Sequence, residues 1–262
     1  MKHVLRTPAL LAAAAAAVAA LTLTACGSDD DAGADSGEDR TLTVLAAASL
    51  TESFDEIADV FESEHDGVEV RLSYDSSAVL AEQVDQGSPG DVLATADEKT
   101  MGSVVDAGHA AGDPTTFATN TLIIVTPPGN PGKVGGIDDL GTATFAVCVP
   151  QAPCGDAAKR LLALDGSTAE PTTEEENVKG VLTKVTLGEV DAGLVYRSDA
   201  LAAGDDVESV EAENASEVVN VNPITVLKDA ENADDAQAFV DLVLSDPGQK
   251  ILADHGFGPA AS

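Results

Sequence analysis

The chain has 262 residues, 44% of them hydrophobic, and its 46 acidic and 13 basic residues give a formal net charge of −33 at pH 7. A field of this sign makes nucleic acid or an anionic lipid surface a poor partner. It argues only weakly against a small anionic ligand, because salt screens exposed charges beyond about 8–10 Å, whereas a pocket of N–H and O–H donors acts at contact distance.

The N-terminal segment, residues 1–25, has the pattern of a secretory signal. Lys2 and Arg6 precede a run rich in alanine and leucine, which ends in the letters LTAC. A basic start followed by such a run is typical of a signal peptide, although the run is nearly long enough for the alternative, a membrane-spanning helix. LTAC followed by Gly27 looks like the bacterial lipobox, so we predict cleavage before Cys26 and lipid on its thiol.

Residues 26–40 are predicted to form a flexible acidic tether. The letters SDDDAGADSGED contain acidic and small residues without apolar periodicity, a composition that cannot form a core. Loss of the signal peptide removes two cations, Lys2 and Arg6, and lowers the formal charge from −33 to −35. About 220 residues remain after the tether, which is enough for one large or two modest domains.

From residue 41 onward, apolar runs typical of strands alternate with amphipathic helical segments. The predicted strands are TLTVLAAAS, VEVRLSY, DVLATAD, TLIIVTPP, ATFAVCVP, AGLVY and VVNVNPITVLK. The predicted helices run from Leu50 to about His65, from about Ala78 to Gln86, through EKTMGSVVDAG, DAAKRLLAL and TEEENVKGVLTKVTLG, and from about Ala233 to His255. Strands separated by helices are typical of right-handed βαβ units, so the pattern predicts an α/β fold with parallel sheet.

Two cysteines, Cys148 and Cys154, remain once Cys26 is assigned to lipid. Outside the cytoplasm such a pair favours a disulfide. The five-residue gap between them differs from the two-residue gap of thioredoxin-like redox pairs, so we predict a structural bridge.

Ser49, between the first predicted strand and helix, has two candidate roles. Glu52 follows it by three residues, which is the spacing of a capping box. The free N–H groups of a helix N-terminus also form an anion site. We predict both roles, with the hydroxyl donating to a ligand.

Three further turns carry polar or N–H-rich sequence: the pair Ser76–Ser77, the letters PCGD at 153–156, and the region around Val178. Ligands of open α/β sheets bind at the carboxyl ends of strands, against helix N-termini. Each turn alone is typical of a cap, but their joint occurrence predicts a binding site.

Enzyme signatures are absent from the sequence. There is no Gly-x-Ser-x-Gly elbow, no Walker loop, no Gly-x-Gly-x-x-Gly after a strand and no His-Glu-x-x-His, and His65, His109 and His255 each follow a helical segment, where a cation is favourable. The sequence therefore predicts a protein that is not an enzyme. A secreted serine hydrolase is the disfavoured alternative, because no histidine is adjacent to a candidate serine.

An ordered set of motifs between Thr41 and Pro259 resembles the molybdate-binding proteins of ABC transporters, which have the type II periplasmic-binding-protein fold. The motifs are AAASL at 46–50, SS at 76–77, LAEQVDQGSPGDVLATAD at 80–97, PCG at 153–155 and AGLVYRSDA at 192–200. The resemblance implies two α/β lobes with mixed, mostly parallel sheets, joined by two crossing segments near residues 121–127 and 219–226. Lobe 1 would comprise residues 41–123 and 224–262, and lobe 2 residues 124–223, with the ligand in the cleft between them.

Carried over to this sequence, the family's site consists of neutral donors to a tetrahedral oxyanion. The implied contacts, hereafter the five predicted donors, are the hydroxyl and backbone N–H groups of Ser49 and Ser77, the N–H groups of Cys154 and Val178, and the hydroxyl of Tyr196. Molybdenum would be held only as this oxyanion, and no cofactor is implied. Two residues depart from the family pattern: Cys154 replaces a small residue, and Asp75, which we expect to face solvent, is an unexpected carboxylate beside a dianion.

The function implied by the resemblance is capture of molybdate, and with it tungstate, for an ABC permease and its ATPase. The protein would act as a monomer on the outer face of the cytoplasmic membrane, held there only by lipid on Cys26. A sulfate or phosphate receptor of the same fold is the alternative.

Overall fold

The computed structural model describes residues 40–260. The predicted signal peptide, the lipidation of Cys26 and nearly all of the predicted tether lie outside these residues. Within the described part, no helix combines the length and the apolar character that crossing a membrane requires.

The described residues form nine strands and eight α-helices. The strands are β1 (Arg40–Ala47), β2 (Val68–Asp75), β3 (Val92–Ala94), β4 (Thr115–Thr126), β5 (Phe145–Cys148), β6 (Thr173–Glu175), β7 (Ala192–Tyr196), β8 (Glu208–Val210) and β9 (Val219–Val226). The helices are α1 (Thr51–Glu64), α2 (Ser77–Asp85), α3 (Glu98–Asp106), α4 (Pro153–Leu164), α5 (Val178–Thr186), α6 (Arg197–Ala203), α7 (Ala233–Leu244) and α8 (Asp246–Asp254).

The strands pair in the order β2-β1-β3-β9-β4-β7-β5-β6, with β8 also on β4. Strand β1 is parallel to its neighbours β2 and β3, and strand β5 is parallel to its neighbours β6 and β7. Every pairing that involves β4 or β9 is antiparallel. The predicted α/β class with mixed sheets is therefore confirmed. We call the part around β1–β3 the first half and the part around β5–β8 the second half.

The two long strands β4 and β9 join the halves. β4 pairs with β9 up to Thr121 and with β7 from Leu122 onward, so it changes partner inside the first predicted crossing segment. The second predicted crossing segment coincides with β9. The exact lobe limits at residues 123 and 224 stay a prediction.

Helix α1 shows how the apolar pattern determines the packing. Its buried Phe54, Ile57 and Phe61 recur at helical spacing and face the sheet, as expected for an amphipathic helix. The ring of Phe54 lies 5.8 Å from that of Phe117 on β4 and 5.9 Å from that of Phe239 on α7. Residues from the start, middle and end of the chain therefore share one core.

Three parts of the pattern differ from the prediction. The C-terminal helical segment is two helices, because Ser245 is extended (φ −72°, ψ 163°) and caps α8 by accepting from the N–H of Gly248, and Pro247 lacks the N–H that a continuous helix needs. The segment TEEENVKGVLTKVTLG begins as β6, and its helix starts only at Val178. The short elements α6 and β8 were not predicted.

Cys148 and Cys154 are joined by a disulfide with their Cα atoms 5.7 Å apart. The bridge ties the end of β5 to the first turn of α4. Gly155 allows this close approach, since a Cβ there would lie 2.0 Å from the carbonyl oxygen of Val149. Together they hold the N-terminus of α4 against the end of the sheet.

Candidate functional site

The carboxyl ends of β1, β2 and β7 and the N-termini of α2, α4 and α5 meet at one small cavity. The space open to the centre of a water-sized sphere is about 10 Å³, far below the roughly 300–1,000 Å³ of sites for drug-sized molecules, so the cavity suits only a small ion. All five predicted donors line it, although they come from distant parts of the sequence. The lining residues are Ala47, Ala48, Ser49, Asp75, Ser76, Ser77, Ala96, Pro153, Cys154, Asn177, Val178 and Tyr196. A larger groove between α2 and α3 contains none of the predicted donors.

Ser49 does not cap a helix, so this part of its prediction is wrong. It lies in a 3-10 turn, Ala48–Leu50, that separates β1 from α1. No side chain caps α1, and the Glu52 carboxylate accepts from Lys179 Nζ at 2.8 Å. The turn places Ser49 before the cap position of α1. The Glu52 carboxylate binds Lys179 instead of a backbone N–H, because a hydrogen bond from an ammonium group is stronger than one from a neutral N–H.

The Ser49 hydroxyl is buried and has no hydrogen-bond partner among the described residues. Burying a hydroxyl without a partner costs about 1–3 kcal/mol. An acceptor atom in the cavity would satisfy this group, which fits the predicted role of Ser49 as a ligand donor.

Ser76 and Ser77 begin α2, with Ser76 at the N-cap position and Ser77 as the first helical residue. The Ser77 hydroxyl oxygen accepts from the N–H of Ala96 at 2.9 Å, so its own proton is free to donate. The buried Ser76 hydroxyl has no partner in the described part of the chain. The pair Ser76–Ser77 marked this turn in the sequence, but Ser76 is not among the five predicted donors, and the structure adds it to the cavity wall.

Tyr196 ends β7 and lies fully inside the core. Its hydroxyl oxygen accepts from Asn220 Nδ2 at 2.8 Å. Burial raises the pKa of Tyr196 well above its ordinary value, and Asp97 and Asp199 raise it further. The phenol is therefore neutral at physiological pH and keeps a proton that it can donate.

Cys154 and Val178 contribute backbone rather than side-chain chemistry. Cys154 is the second residue of α4, and Val178 is the first residue of α5. The N–H groups of a first helical turn have no partner within the helix and carry its positive dipole end. Asn177 caps α5 by accepting from the N–H of Gly180 at 3.2 Å, which leaves the N–H of Val178 available to the cavity.

Asp75 lines the cavity, so the expectation that it faces solvent is corrected. Its Oδ1 accepts from the N–H of Ser76 at 2.7 Å and from Asn177 Nδ2 at 3.2 Å. The second bond joins the first half to the second half and draws the carboxylate inward. One acidic group therefore stands among the neutral donors.

A cluster of three charged residues lies behind the donors. Lys179 Nζ is 2.8 Å from both carboxylate oxygens of Glu52 and 3.1 Å from Asp199 Oδ1. The contact between Lys179 and Asp199 is an ion pair, because its angles do not meet those of a hydrogen bond. We call Glu52, Lys179 and Asp199 the ion cluster; it connects α1 with α5 and α6.

The ion cluster is partly buried, which shifts its pKa values. Burial raises the pKa of Asp199 to about 6, although the charge of Lys179 acts to lower it. Burial acts to lower the pKa of Lys179, but the charges of Asp199 and Glu52 outweigh it and the pKa is raised. Lys179 is therefore a cation that holds two carboxylates near an anion site.

The arrangement offers hydrogen-bond donors from five chain segments to one small volume. It can hold a fully deprotonated oxyanion, which has only acceptor atoms. Within the described residues there is no cluster of side chains suited to binding a metal cation.

The family model for bacterial extracellular solute-binding proteins matches residues 42–258. The chain is 42% identical over 240 residues to the molybdate-binding protein ModA of Mycobacterium tuberculosis, covering 90% of this chain and 92% of ModA.

Two solved structures show the same fold. The periplasmic molybdate-binding protein of Azotobacter vinelandii is similar with a TM-score of 0.74 at 23% identity, covering 84% of this chain and 100% of that chain. The sulfate-binding protein SubI from Mycobacterium tuberculosis has a TM-score of 0.73 at 21% identity, covering 84% of this chain and 87% of that chain. The family match over residues 42–258 and the 42% identity to ModA together establish that this chain belongs to the bacterial extracellular solute-binding proteins and is a relative of ModA among them.

Proposed function

We propose that the protein captures molybdate, and tungstate with similar affinity, for an ABC importer. The observation that carries this proposal is the convergence of all five predicted donors on one cavity. Molybdate is fully deprotonated at neutral pH and has only acceptor atoms, so a donor-lined cavity suits it. The relationship to ModA supports the same ligand.

Neutral donors are sufficient for tight binding. Each hydrogen bond to a charged group contributes about 1.5–3 kcal/mol, so several give micromolar or tighter affinity after the cost of association. A neutral site also avoids leaving an unpaired cation in an unliganded cleft. Like other solute-binding proteins, the chain would hold its ligand without transforming it, as a monomer that delivers the ion to a permease and its ATPase.

A sulfate or phosphate receptor is the second candidate. The sulfate-binding SubI shares the fold, and Asp75 in the cavity wall is an acceptor for a protonated ion such as hydrogen phosphate. The other lining residues are donors and small apolar residues, which disfavours a protonated ion, and the 42% identity to ModA favours molybdate over sulfate.

Titration calorimetry with the purified soluble domain tests the ligand directly. Molybdate and tungstate should bind with similar affinity, because their charge and shape match, and sulfate should bind at least tenfold more weakly. Sulfate or phosphate binding that equals or exceeds molybdate binding would overturn the molybdate proposal.

We also propose that the protein is anchored to the outer face of the cytoplasmic membrane by lipid on Cys26. The support is the lipobox-like sequence that ends at this residue. Cys26→Ala should release the protein from the membrane fraction or leave the signal peptide attached, with molybdate affinity unchanged. Normal processing together with unchanged membrane attachment would show that Cys26 is not the anchor.

A further inference from the structure

A chain of hydrogen bonds runs behind the cavity from Asn220 on β9 to two of the predicted donors. Asn220 Nδ2 donates to the Tyr196 hydroxyl at 2.8 Å and to the carbonyl oxygen of Ala96 at 3.0 Å. The N–H of the same Ala96 donates to the Ser77 hydroxyl at 2.9 Å. Asn220 is itself buried and belongs to neither the cavity wall nor the predicted site.

The backbone of Ala96, through its carbonyl at one end and its N–H at the other, determines the directions of the bonds in this chain. A carbonyl oxygen only accepts, so the Asn220 atom that faces Ala96 must be the amide nitrogen. The same nitrogen then presents its second hydrogen to the Tyr196 oxygen. At the other end, a backbone N–H only donates, so the Ser77 oxygen must accept from Ala96.

Both hydroxyls are therefore held as acceptors on their protein side. A hydroxyl has a single proton, and for Tyr196 and Ser77 that proton is left for the cavity. We propose that Asn220 is a positioning residue that fixes these two hydroxyls as donors and thereby increases the preference of the site for fully deprotonated oxyanions over protonated ones. This inference rests on the proposed function, because it concerns selectivity at the same cavity.

The selectivity follows from what a protonated ion requires. Hydrogen phosphate brings an O–H donor that needs an acceptor, whereas sulfate, of similar size and equal charge, brings none. If Tyr196 were free to turn, its oxygen would accept that proton. The other acceptors at the cavity are the carboxylate of Asp75, whose Oδ1 already takes two donors, and the hydroxyl oxygens of Ser49 and Ser76. Asn220 therefore withholds one acceptor among several from a protonated ion.

Sulfate and phosphate therefore form a matched pair of probes, each measured by displacement of molybdate. Asn220→Leu removes the amide and frees the Tyr196 hydroxyl. We expect molybdate affinity to fall several-fold and the affinity ratio of phosphate to sulfate to rise at least fivefold. Ser49, Ser76 and Asp75 are present in both proteins, so their effects cancel when the ratio in the variant is compared with the ratio in the wild type. In a Tyr196→Phe background the same substitution should change the ratio far less, which a double-mutant cycle measures.

Asn222→Leu is the matched control. Asn222 lies on the same strand, is fully buried and donates to the carbonyl oxygen of Thr95 at 3.3 Å, but it contacts neither hydroxyl. It should leave the phosphate-to-sulfate ratio unchanged. An unchanged ratio in a folded Asn220→Leu protein would overturn the inference, since a purely structural role weakens all oxyanions alike. Should that variant fail to fold, Asn220→Ser serves in the same comparison.

The outcomes separate this inference from the proposed function. If molybdate fails to bind the wild-type protein but sulfate or phosphate binds, the proposed function is wrong, and direct titrations of the two smaller ions still test the ratio. If molybdate binds and the ratio does not respond to Asn220, only the inference is wrong. Absence of binding of all three ions overturns both.

Discussion

Ser49→Ala is expected to weaken molybdate binding at least tenfold while leaving the unliganded protein as stable as the wild type. The buried Ser49 hydroxyl has no hydrogen-bond partner in the described structure, so its removal breaks no bond within the protein. A lost bond to a charged ligand costs about 1.5–3 kcal/mol, or about ten- to a hundredfold in affinity. Calorimetry gives the affinity, and thermal melts with and without molybdate give the stability.

Two further substitutions should weaken molybdate binding to different degrees. Ser77→Ala should weaken binding comparably and also destabilise the unliganded protein, because the N–H of Ala96 loses its acceptor. Tyr196→Phe should weaken binding less, since the ring still packs.

Ser53→Ala is the matched control for Ser49. Ser53 is equally buried, and its hydroxyl donates to the carbonyl oxygen of Leu50 within the same helical segment, away from the cavity. It should not alter molybdate affinity. Wild-type affinity in Ser49→Ala would remove Ser49 from the proposed site.

Lys179→Met should lower the free energy of unfolding by about 2–3 kcal/mol, because it leaves Asp199 buried without its cation. The estimate is at the low end for a buried pair, since the Lys179 side chain is 27% exposed. For a chain of this size such a loss lowers the melting temperature by about 5–10 °C. Molybdate affinity should also fall, because two uncompensated carboxylates then lie behind the anion site.

The penalty should grow with pH. Burial raises the folded-state pKa of Asp199 to about 6, above its ordinary value of 3.8, so the folded state binds more protons than the unfolded state between these values. Stability therefore falls as pH rises through this window. Without Lys179 the pKa rises further and the window extends upward. Melts between pH about 5 and about 8 should show a small difference from wild type at the acidic end and the full difference at the basic end.

Lys250→Met provides the contrast. Lys250 is 74% exposed and pairs with Asp254 one turn further along α8. Exposed pairs of this kind contribute little, so its melting temperature should stay unchanged at every pH. A Lys179→Met penalty that is equally small, or that does not depend on pH, would contradict the role given to the ion cluster.

The order of elements was predictable because the apolar residues of each long helix and strand recur at the spacing typical of that element. Helix α1 begins and ends within one residue of the prediction, since Phe54, Ile57 and Phe61 mark its buried face. The short β6, β8 and α6 have only three to seven residues, too few for a period. They form because longer elements surround them.

Four of the five predicted donors lie at turns between a strand and a helix, which the sequence marks, whereas Tyr196 was implied only by the resemblance to the family. All five share one cavity because each lies at a strand end or at the start of a helix. The ion cluster has no such mark: Glu52 and Lys179 are 127 residues apart, and only the fold brings them together. The same distant pairing explains why the predicted capping box at Ser49 is wrong, because the Glu52 carboxylate accepts hydrogen bonds from Lys179 and not from the backbone near Ser49. Asn220 had a visible signal, because it is one of two amides that alternate with valines in β9, which indicates buried polar contacts but not their partners.

The strand order β3-β9-β4 ties the cavity to a strand that is synthesised after every predicted donor. A nascent chain that ends at Tyr196 already contains every predicted donor, yet it lacks β9, the strand that separates β3 from β4. Asn220 arrives with that strand as well. Pairings between residues far apart in sequence form slowly, because loop-closure entropy must be overcome first. A chain that lacks β9 therefore cannot hold its two halves around the ion, so we expect ligand capture only after this strand has been synthesised.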